Sequence, residues 1–189
     1  MTESNDARIL TVRNPWAWAI INAGKTVENR SRNVAGDYRG PLLIHVAKQY
    51  AAGWRSPVLA GLMNQHDGVW DEPQPWRAHA GMIVGVVDLV DSHPVDDCIE
   101  QQHDGDWLVC SEWAERTGHH LVLANPRALD EPIPYAGMLG VRRTEFEVSG
   151  DYLAQRVNAC TCGGADQYGH PAHGLGCGLE SIAQLVATS

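Results

Sequence analysis

The chain has 189 residues, of which 44% are hydrophobic and 20% charged, and its formal net charge is −9. This composition is typical of a water-soluble globular protein. No apolar run approaches the roughly 20 residues that a transmembrane helix needs. The polar, acidic start of the chain is not followed by the apolar stretch of a secretory signal. We therefore expect a cytoplasmic protein that does not bind a membrane.

The charge is distributed unevenly along the chain. Residues 1–55 hold eight of the 14 Lys and Arg residues but four of the 23 Asp and Glu residues, so this part carries +4 and the rest −13. Affinity for a phosphate backbone is largely electrostatic, so an acidic protein binds nucleic acid poorly unless its positive charges share a face. The distribution is compatible with such a basic face and equally with scattered, solvated surface charge.

The first predicted elements are a strand, a helix and a second strand. Arg8–Arg13 is rich in β-branched residues, which favours a strand. Asn14 and Pro15 are typical of a helix start, and Gly24 is typical of a helix end. The alternation in Lys25–Arg32 predicts the second strand.

Charged side chains dominate this second strand. Strict alternation puts Glu28, Arg30 and Arg32 on one face and Lys25 on the other. Lys25 therefore joins the other charges only if the turn at Gly24 re-aims its side chain. One interpretation of the Glu28–Arg30 pair is an exposed ion pair, which would contribute well under about 1 kcal/mol. Our hypothesis is that the segment builds one wall of a ligand pocket.

Two further residues have both a structural and a functional interpretation. Trp16 lies on the apolar face of the predicted helix, either as a core aromatic or as a surface on which a base stacks. His45 lies within Pro41–Lys48, a strand apolar enough to be buried on both faces. A histidine in such a strand is more often a hydrogen-bonded structural residue than a catalyst.

Asp88 interrupts an apolar pattern. It lies in Gly81–Asp91, the clearest strand of the sequence, in a row of otherwise apolar positions. A buried carboxylate is costly unless it is paired or hydrogen-bonded. The pattern therefore predicts a cationic or hydrogen-bond-donor partner, for which Lys25 and Arg30 are the candidates. The alternative is a carboxylate at a strand end, partly in water.

The rest of this region predicts more strands and few helices. Ser92–Asp106 is acidic, and His93 and His103 fit no ligand spacing, so a solvated loop is favoured over a metal site. Many short strands favour a mostly β barrel with helices packed outside it. The remaining predictions are a helix over Tyr50–Asn64 that breaks near Ser56-Pro57 and a short helix within Trp107–Thr117. They also include a strand from His119 that turns at Asn125-Pro126 and a last strand over Gly137–Val148.

The helix start Pro15-Trp16-Ala17 and the charged positions Lys25, Glu28 and Arg30 resemble the ASCH domain family of the PUA-like superfamily. The family motif has the form G-x-K-x-x-E-x-R, and Ala23 stands here at the glycine position. The resemblance covers roughly residues 8–147. It implies an α+β, mostly β fold, a PUA-like β-barrel with flanking helices, and a cleft that binds RNA or a modified nucleoside or nucleotide.

The resemblance also implies candidate catalytic residues. One branch of the family consists of small amidohydrolases that deacylate N4-acetylcytidine with a lysine, a threonine and a glutamate, and other members have been proposed to cleave RNA. Lys25 corresponds to the lysine, Glu28 occupies the threonine position, and Asp88 stands in for the glutamate. A neutral Lys25 could activate water while a carboxyl group passes a proton to the leaving amine. The candidate ligand-binding residues are Asn14, Trp16, Arg30, Arg32 and His45.

Three functions therefore stay open: a module that binds RNA or a nucleoside, a hydrolase that uses the same cleft, and a non-catalytic protein-interaction module.

Residues 150–189 lie beyond the resemblance and are predicted to form a short C-terminal appendage. Its five potential zinc ligands are Cys160, Cys162, His170, His173 and Cys177. Four of them would close a tetrahedral site. The glycine-rich stretch around them has little to bury, so it is either stapled by metal or flexible. Leu179, Ile182, Ala183 and Val186 are spaced as a helical stripe that docks on the barrel.

Overall fold

The computed structural model describes residues 6–52, 78–101, 107–156 and 179–187. This part of the chain is mostly β, as predicted, with one short α-helix and a 3-10 turn at Val95–Asp97. No helix within it is long and apolar enough to span a bilayer. The elements are β1 (Asp6–Val12), α1 (Trp16–Asn22), β2 (Val27–Arg30), β3 (Gly40–Val46), β4 (Met82–Pro94), β5 (Glu100–Gln101), β6 (Trp107–Leu108), β7 (His119–Pro134), β8 (Val141–Ser149), β9 (Tyr152–Arg156) and β10 (Leu179–Ala187).

Eight strands form one sheet in the order β10-β9-β8-β1-β3-β4-β7-β2. β1 and β3 are parallel, and the other neighbours are antiparallel. β10 pairs with β7 as well as with β9. The strands from β10 to β7 in this order therefore form a ring of hydrogen-bonded neighbours. β2 continues the sheet beyond this ring, on β7. β5 and β6 pair separately.

Strand alternation divides the core into two clusters. Leu42 and Ile44 of β3 belong to a helix-side core that also contains Ile20 of α1. Leu43, which lies between them in sequence, belongs to a second core with Phe146 of β8. Successive side chains of a strand point to opposite faces. β3 is therefore buried on both faces, as its apolar sequence predicts.

β7 differs from the prediction in its middle. The turn predicted at Asn125-Pro126 is wrong, because β7 continues to Pro134. Asn125 has a φ of 49°, and the register with β4 shifts between Val86 and Asp88. Two residues of β4 span the same length as three of β7, so the extra residue forms a bulge and not a chain reversal.

Two predicted helices are absent from the described chain. In β10 the buried Ala183 and Leu185 alternate with the exposed Gln184 and Val186, which is the period of a strand. The segment 107–117 contains β6 followed by turns. β9 and β10 lie beyond residue 147 and still belong to the main sheet.

Two other predictions are affected only in part. β4 runs on to Pro94, so the loop predicted from Ser92 starts later than expected. Residues 50–52 are not helical, and the rest of the helix predicted over Tyr50–Asn64 lies outside the described residues.

Candidate functional site

The start of α1 is held by Asn14. Its Oδ1 accepts a hydrogen bond from the Trp18 backbone N–H at 3.2 Å, and the residue is 4% exposed. This bond satisfies one of the N–H groups that have no partner within the first helical turn. The buried side chain of Asn14, predicted to bind ligand, therefore stabilises the helix that carries Trp16.

The turn after α1 aims Lys25 at the motif's carboxylate. Gly24 has a φ of 65°, which a residue with a Cβ adopts only with strain. The Lys25 backbone N–H then donates to the Ala19 carbonyl at 3.1 Å. β2 begins only at Val27, so the alternation of the strand does not govern Lys25. Its side chain turns back toward Glu28, as the motif requires.

Lys25 is a buried cation, 4% exposed. Its Nζ donates to the Val27 carbonyl and lies 3.6 Å from Glu28 Oε2. The ammonium is also 5.6 Å from the ring centroid of Trp16 and 5.7 Å from that of Trp113, within range of cation–π attraction. Burial lowers the pKa of Lys25, and the charge of Glu28 opposes this effect.

Glu28 connects Lys25 to Arg30. Its Oε1 lies 3.1 Å from Arg30 Nη2, and the Glu28 side chain is 9% exposed, so the pair is not an exposed ion pair. The same Nη2 donates to the Thr11 carbonyl at 2.9 Å. Arg30 Nε is buried and has no hydrogen-bond partner among the described residues. The guanidinium therefore has an unused donor at this position.

A cleft of about 780 Å³ opens beside this network. Lys25 is not among the described residues that line it, although its Nζ lies 3.6 Å from Glu28, which does line it. Arg32, predicted to bind ligand, is exposed and does not line it either. The charged, aromatic and imidazole side chains in its wall include Arg13, Trp16, Glu28, Arg30, His45 and Lys48.

His45 forms part of the cleft wall and is 2% exposed. Its Nε2 lies 3.1 Å from the Tyr135 carbonyl, which can only accept, so Nε2 carries the proton. Burial lowers the pKa of His45, which favours the neutral ring. A Cβ at Gly137 would lie 2.7 Å from His45 Cε1, so the chain crosses the ring only because residue 137 is glycine. The contacts with Tyr135 and Gly137 fit the structural interpretation of His45, and its buried Nδ1 has no hydrogen-bond partner among the described residues.

Asp88 lies in a different pocket, of about 620 Å³. Its carboxylate is bound by Arg127 at 2.9 Å and by Asn125 at 2.7 Å. The prediction that Lys25 or Arg30 pairs with Asp88 is wrong. Its neighbours Val87 and Leu89 face the helix-side core, so Asp88 points to the opposite face of β4.

A group of metal-ligating side chains also occurs, at a place that the sequence did not predict. The ligand atoms of His93, Cys98, Cys110 and His120 all lie within 4.8 Å of one another, and this group could hold a metal ion. His93 of β4 and His120 of β7 are direct register partners. The register brings the two histidines together, while the turn after β4 and the connection after β6 contribute the two cysteines, so the group follows no local spacing in the sequence. The C-terminal candidates Cys160, Cys162, His170, His173 and Cys177 lie outside the described residues.

Comparison with known families agrees with the motif. The profile of the ASCH domain matches residues 10–133, which is well over half of the chain. The chain therefore belongs to the ASCH domain family, as the resemblance predicted. Membership suggests RNA binding or a related function. No curated protein sequence matches the chain significantly.

Proposed function

We propose that this ASCH domain binds RNA or a nucleotide in the cleft beside Glu28 and Arg30. The observation that carries the proposal is the charge of the cleft wall. Arg13, Arg30 and Lys48 line it, against one carboxylate among the described lining residues. That carboxylate, Glu28, is already paired with two cations. The wall is thus locally positive in a protein of net charge −9, and phosphate groups are attracted to such a site.

The shape of the cleft supports the same proposal. Its volume of about 780 Å³ falls within the roughly 300–1,000 Å³ typical of small-ligand sites. Trp16 lines it and is half-buried, so part of its ring can stack against a base. Arg30 also lines the cleft, and its side chain is 24% exposed, so part of the guanidinium can donate to a bound phosphate.

The test is a binding titration with labelled single-stranded RNA and with nucleoside monophosphates, followed by fluorescence anisotropy and calorimetry. Arg13→Ala and Lys48→Ala remove exposed cations from the cleft rim. Each should weaken RNA binding about tenfold, or about 1.4 kcal/mol. If each cation contacts a phosphate, each change should also reduce the slope of log K against log salt by about 1.

The matched control is Arg143→Ala, because Arg143 is an exposed cation that lines the pocket of Asp88. It should leave both affinity and salt slope unchanged. Equal losses in all three variants, or no saturable binding by the wild type, would contradict the proposal.

A second proposal is a hydrolase at the same cleft, either an N4-acylcytidine-type amidohydrolase or a ribonuclease. It is favoured by the lowered pKa of Lys25 and by the contact between Lys25 and Glu28. Of the two, Glu28 lines the cleft, so it would contact the substrate while Lys25 acts through it. Incubation with N4-acetylcytidine or short RNA and chromatography of the products test this proposal. Turnover that Glu28→Gln abolishes would support it, and saturable binding without turnover would refute it.

A further inference from the structure

We propose that His93, Cys98, Cys110 and His120 form a structural zinc site at the end of the β4–β7 pair. The proposal does not depend on the function of the cleft. Two thiols and two imidazoles are the donor set of closed tetrahedral zinc sites, and this set leaves no position open for a substrate.

The distances between the donor atoms fit a shared ion. His120 Nδ1 lies 3.3 Å from Cys98 Sγ and 3.4 Å from Cys110 Sγ. Zn–S bonds of about 2.3 Å and Zn–N bonds of about 2.0–2.1 Å, at tetrahedral angles, place sulfur and nitrogen roughly 3.5 Å apart. Both nitrogen–sulfur distances are therefore close to those of a zinc tetrahedron, and all four donor atoms lie within 4.8 Å of one another.

Both imidazoles are oriented as zinc ligands are. His93 Nδ1 lies 2.6 Å from Asp91 Oδ2, and His120 Nε2 lies 2.8 Å from the Glu115 carbonyl. A carboxylate and a carbonyl can only accept, so in the neutral rings the other nitrogen of each keeps its lone pair. Ligating histidines usually donate their second N–H to such acceptors.

The free nitrogen of His93 supplies an independent observation. His93 Nε2 is buried and has no hydrogen-bond partner among the described residues. A buried polar atom without a partner costs free energy. A metal ion held by the four donors would give His93 Nε2 a partner.

The backbone brings the four ligands from three parts of the chain. His93 and His120 face each other across β4 and β7. The 3-10 turn places Cys98, whose N–H donates to the Val95 carbonyl at 3.0 Å. Cys110 comes from the connection between β6 and β7. Zinc would therefore fasten two connections to the end of the sheet.

The connection between β6 and β7 also packs against the segment that carries Lys25, Glu28 and Arg30. The Glu115 N–H donates to Asn29 Oδ1 at 2.9 Å, and Asn29 Nδ2 donates to the Trp113 carbonyl at 2.8 Å. The Trp113 ring in turn lies over Lys25. Because Glu115 also accepts from His120, the metal site would fix the connection that packs Trp113 on Lys25.

The test measures zinc in full-length protein purified without a metal-affinity tag. The reference is the variant Cys160→Ser/Cys162→Ser/Cys177→Ser, which removes the C-terminal cysteine ligands. It should retain about one zinc per chain, and adding Cys98→Ser should remove it. Zinc below about a tenth of an equivalent in the reference, after growth with added zinc, would overturn the proposal.

Two further measurements leave the four proposed zinc ligands unsubstituted. Co²⁺ added to the reference variant should give the absorption bands of a tetrahedral ion with thiolate ligands. Alkylation of Cys98 and Cys110, located by peptide mapping, should be at least about tenfold faster after chelation. Octahedral Co²⁺ spectra, equal alkylation with and without metal, or a Cys98–Cys110 disulfide in freshly purified protein would each overturn the site.

Discussion

Glu28 and Asp88 are two carboxylates in one sheet, and they differ in what surrounds them. The Glu28 side chain is 9% exposed and lies between Lys25 and Arg30. The Asp88 side chain is 31% exposed and binds Arg127 and Asn125 at the edge of a separate pocket. Water can solvate Asp88 if its partners are lost, but it has little access to Glu28.

From this difference we expect burial, and not the number of partners, to decide what each network contributes to stability. Breaking a buried pair leaves a charge without water or partner, whereas exposed pairs contribute little. Glu28 joins two partners from its own segment, of which Lys25 is buried and Arg30 is 24% exposed. Asp88 joins side chains of two adjacent strands where solvent already reaches them. Four substitutions or conditions test this distinction, from the largest expected effect to the smallest.

Glu28→Ala should have the largest effect, a loss of about 3–5 kcal/mol in the free energy of unfolding, because it leaves Lys25 buried and unpaired. Urea denaturation followed by tryptophan fluorescence measures the loss. Adding Lys25→Met to Glu28→Ala should recover part of it, since the stranded charge is then removed. A loss below about 1 kcal/mol for Glu28→Ala would show that the network behaves like an exposed one.

Gly118→Ala should cost about 1–3 kcal/mol, because a Cβ at this position would lie 2.4 Å from the Arg30 carbonyl and displace the end of β2. Gly118 also has a φ of 89°. Gly36→Ala is the matched control, with a φ of 58° and nothing within 4 Å of its Cβ. The melting temperature of Gly118→Ala should be lower than that of Gly36→Ala. Equal melting temperatures would show that the contact with the Arg30 carbonyl adds nothing to the backbone strain that both substitutions cause.

The pH dependence of stability should reveal the burial of Lys25. Its folded pKa is lowered by burial, so just below the unfolded value of 10.5 the unfolded state binds more protons. Stability contributed by Lys25 therefore increases with pH through that window. The difference in unfolding free energy between wild type and Lys25→Met should shift in favour of the wild type as pH rises toward 10.5. A difference that is constant with pH would contradict the burial effect.

Tyr38 and Tyr135 titrate in the same experiment. Burial raises the pKa of each to about 12, which lowers stability as pH rises above 10. Both tyrosines are present in both proteins, so their effect cancels in the comparison.

Asp88→Asn should have the smallest effect, a change of less than about 1 kcal/mol, because its carboxylate is partly solvated and Asn can still bond to Arg127. Urea denaturation of Asp88→Asn and of Glu28→Gln, the equivalent change in the buried network, compares the two losses in unfolding free energy directly. A larger loss for Asp88→Asn than for Glu28→Gln would reverse the ranking of the two networks.

The parts of the site that the sequence predicted are those encoded over short distances. The helix start, the turn at Gly24 and the Glu28–Arg30 pair lie within one segment. Strand alternation alone placed Lys25 on the opposite face, and the turn before β2 brings it to Glu28. The partners of Asp88 could not be predicted, because they depend on the bulged register of β4 and β7.

The His/Cys cluster was missed for the same reason, since its two histidines meet only through that register. The prediction of a helix near the C-terminus was wrong for a different reason. An apolar pattern of a few residues fits either period, and pairing with β7 and β9 decided for a strand.

The pairing of β10 also affects the order in which the molecule can be completed. Leu185–Ala187 of β10 lie against Arg127–Leu129 of β7, more than fifty positions earlier in the chain. During synthesis on the ribosome, β9 and the C-terminal half of β7 are made long before this partner emerges. Their backbone edges stay unpaired for that interval, and unpaired edges are templates for association with other chains. β10, the last strand that the structure describes, therefore pairs with both of these edges and covers them.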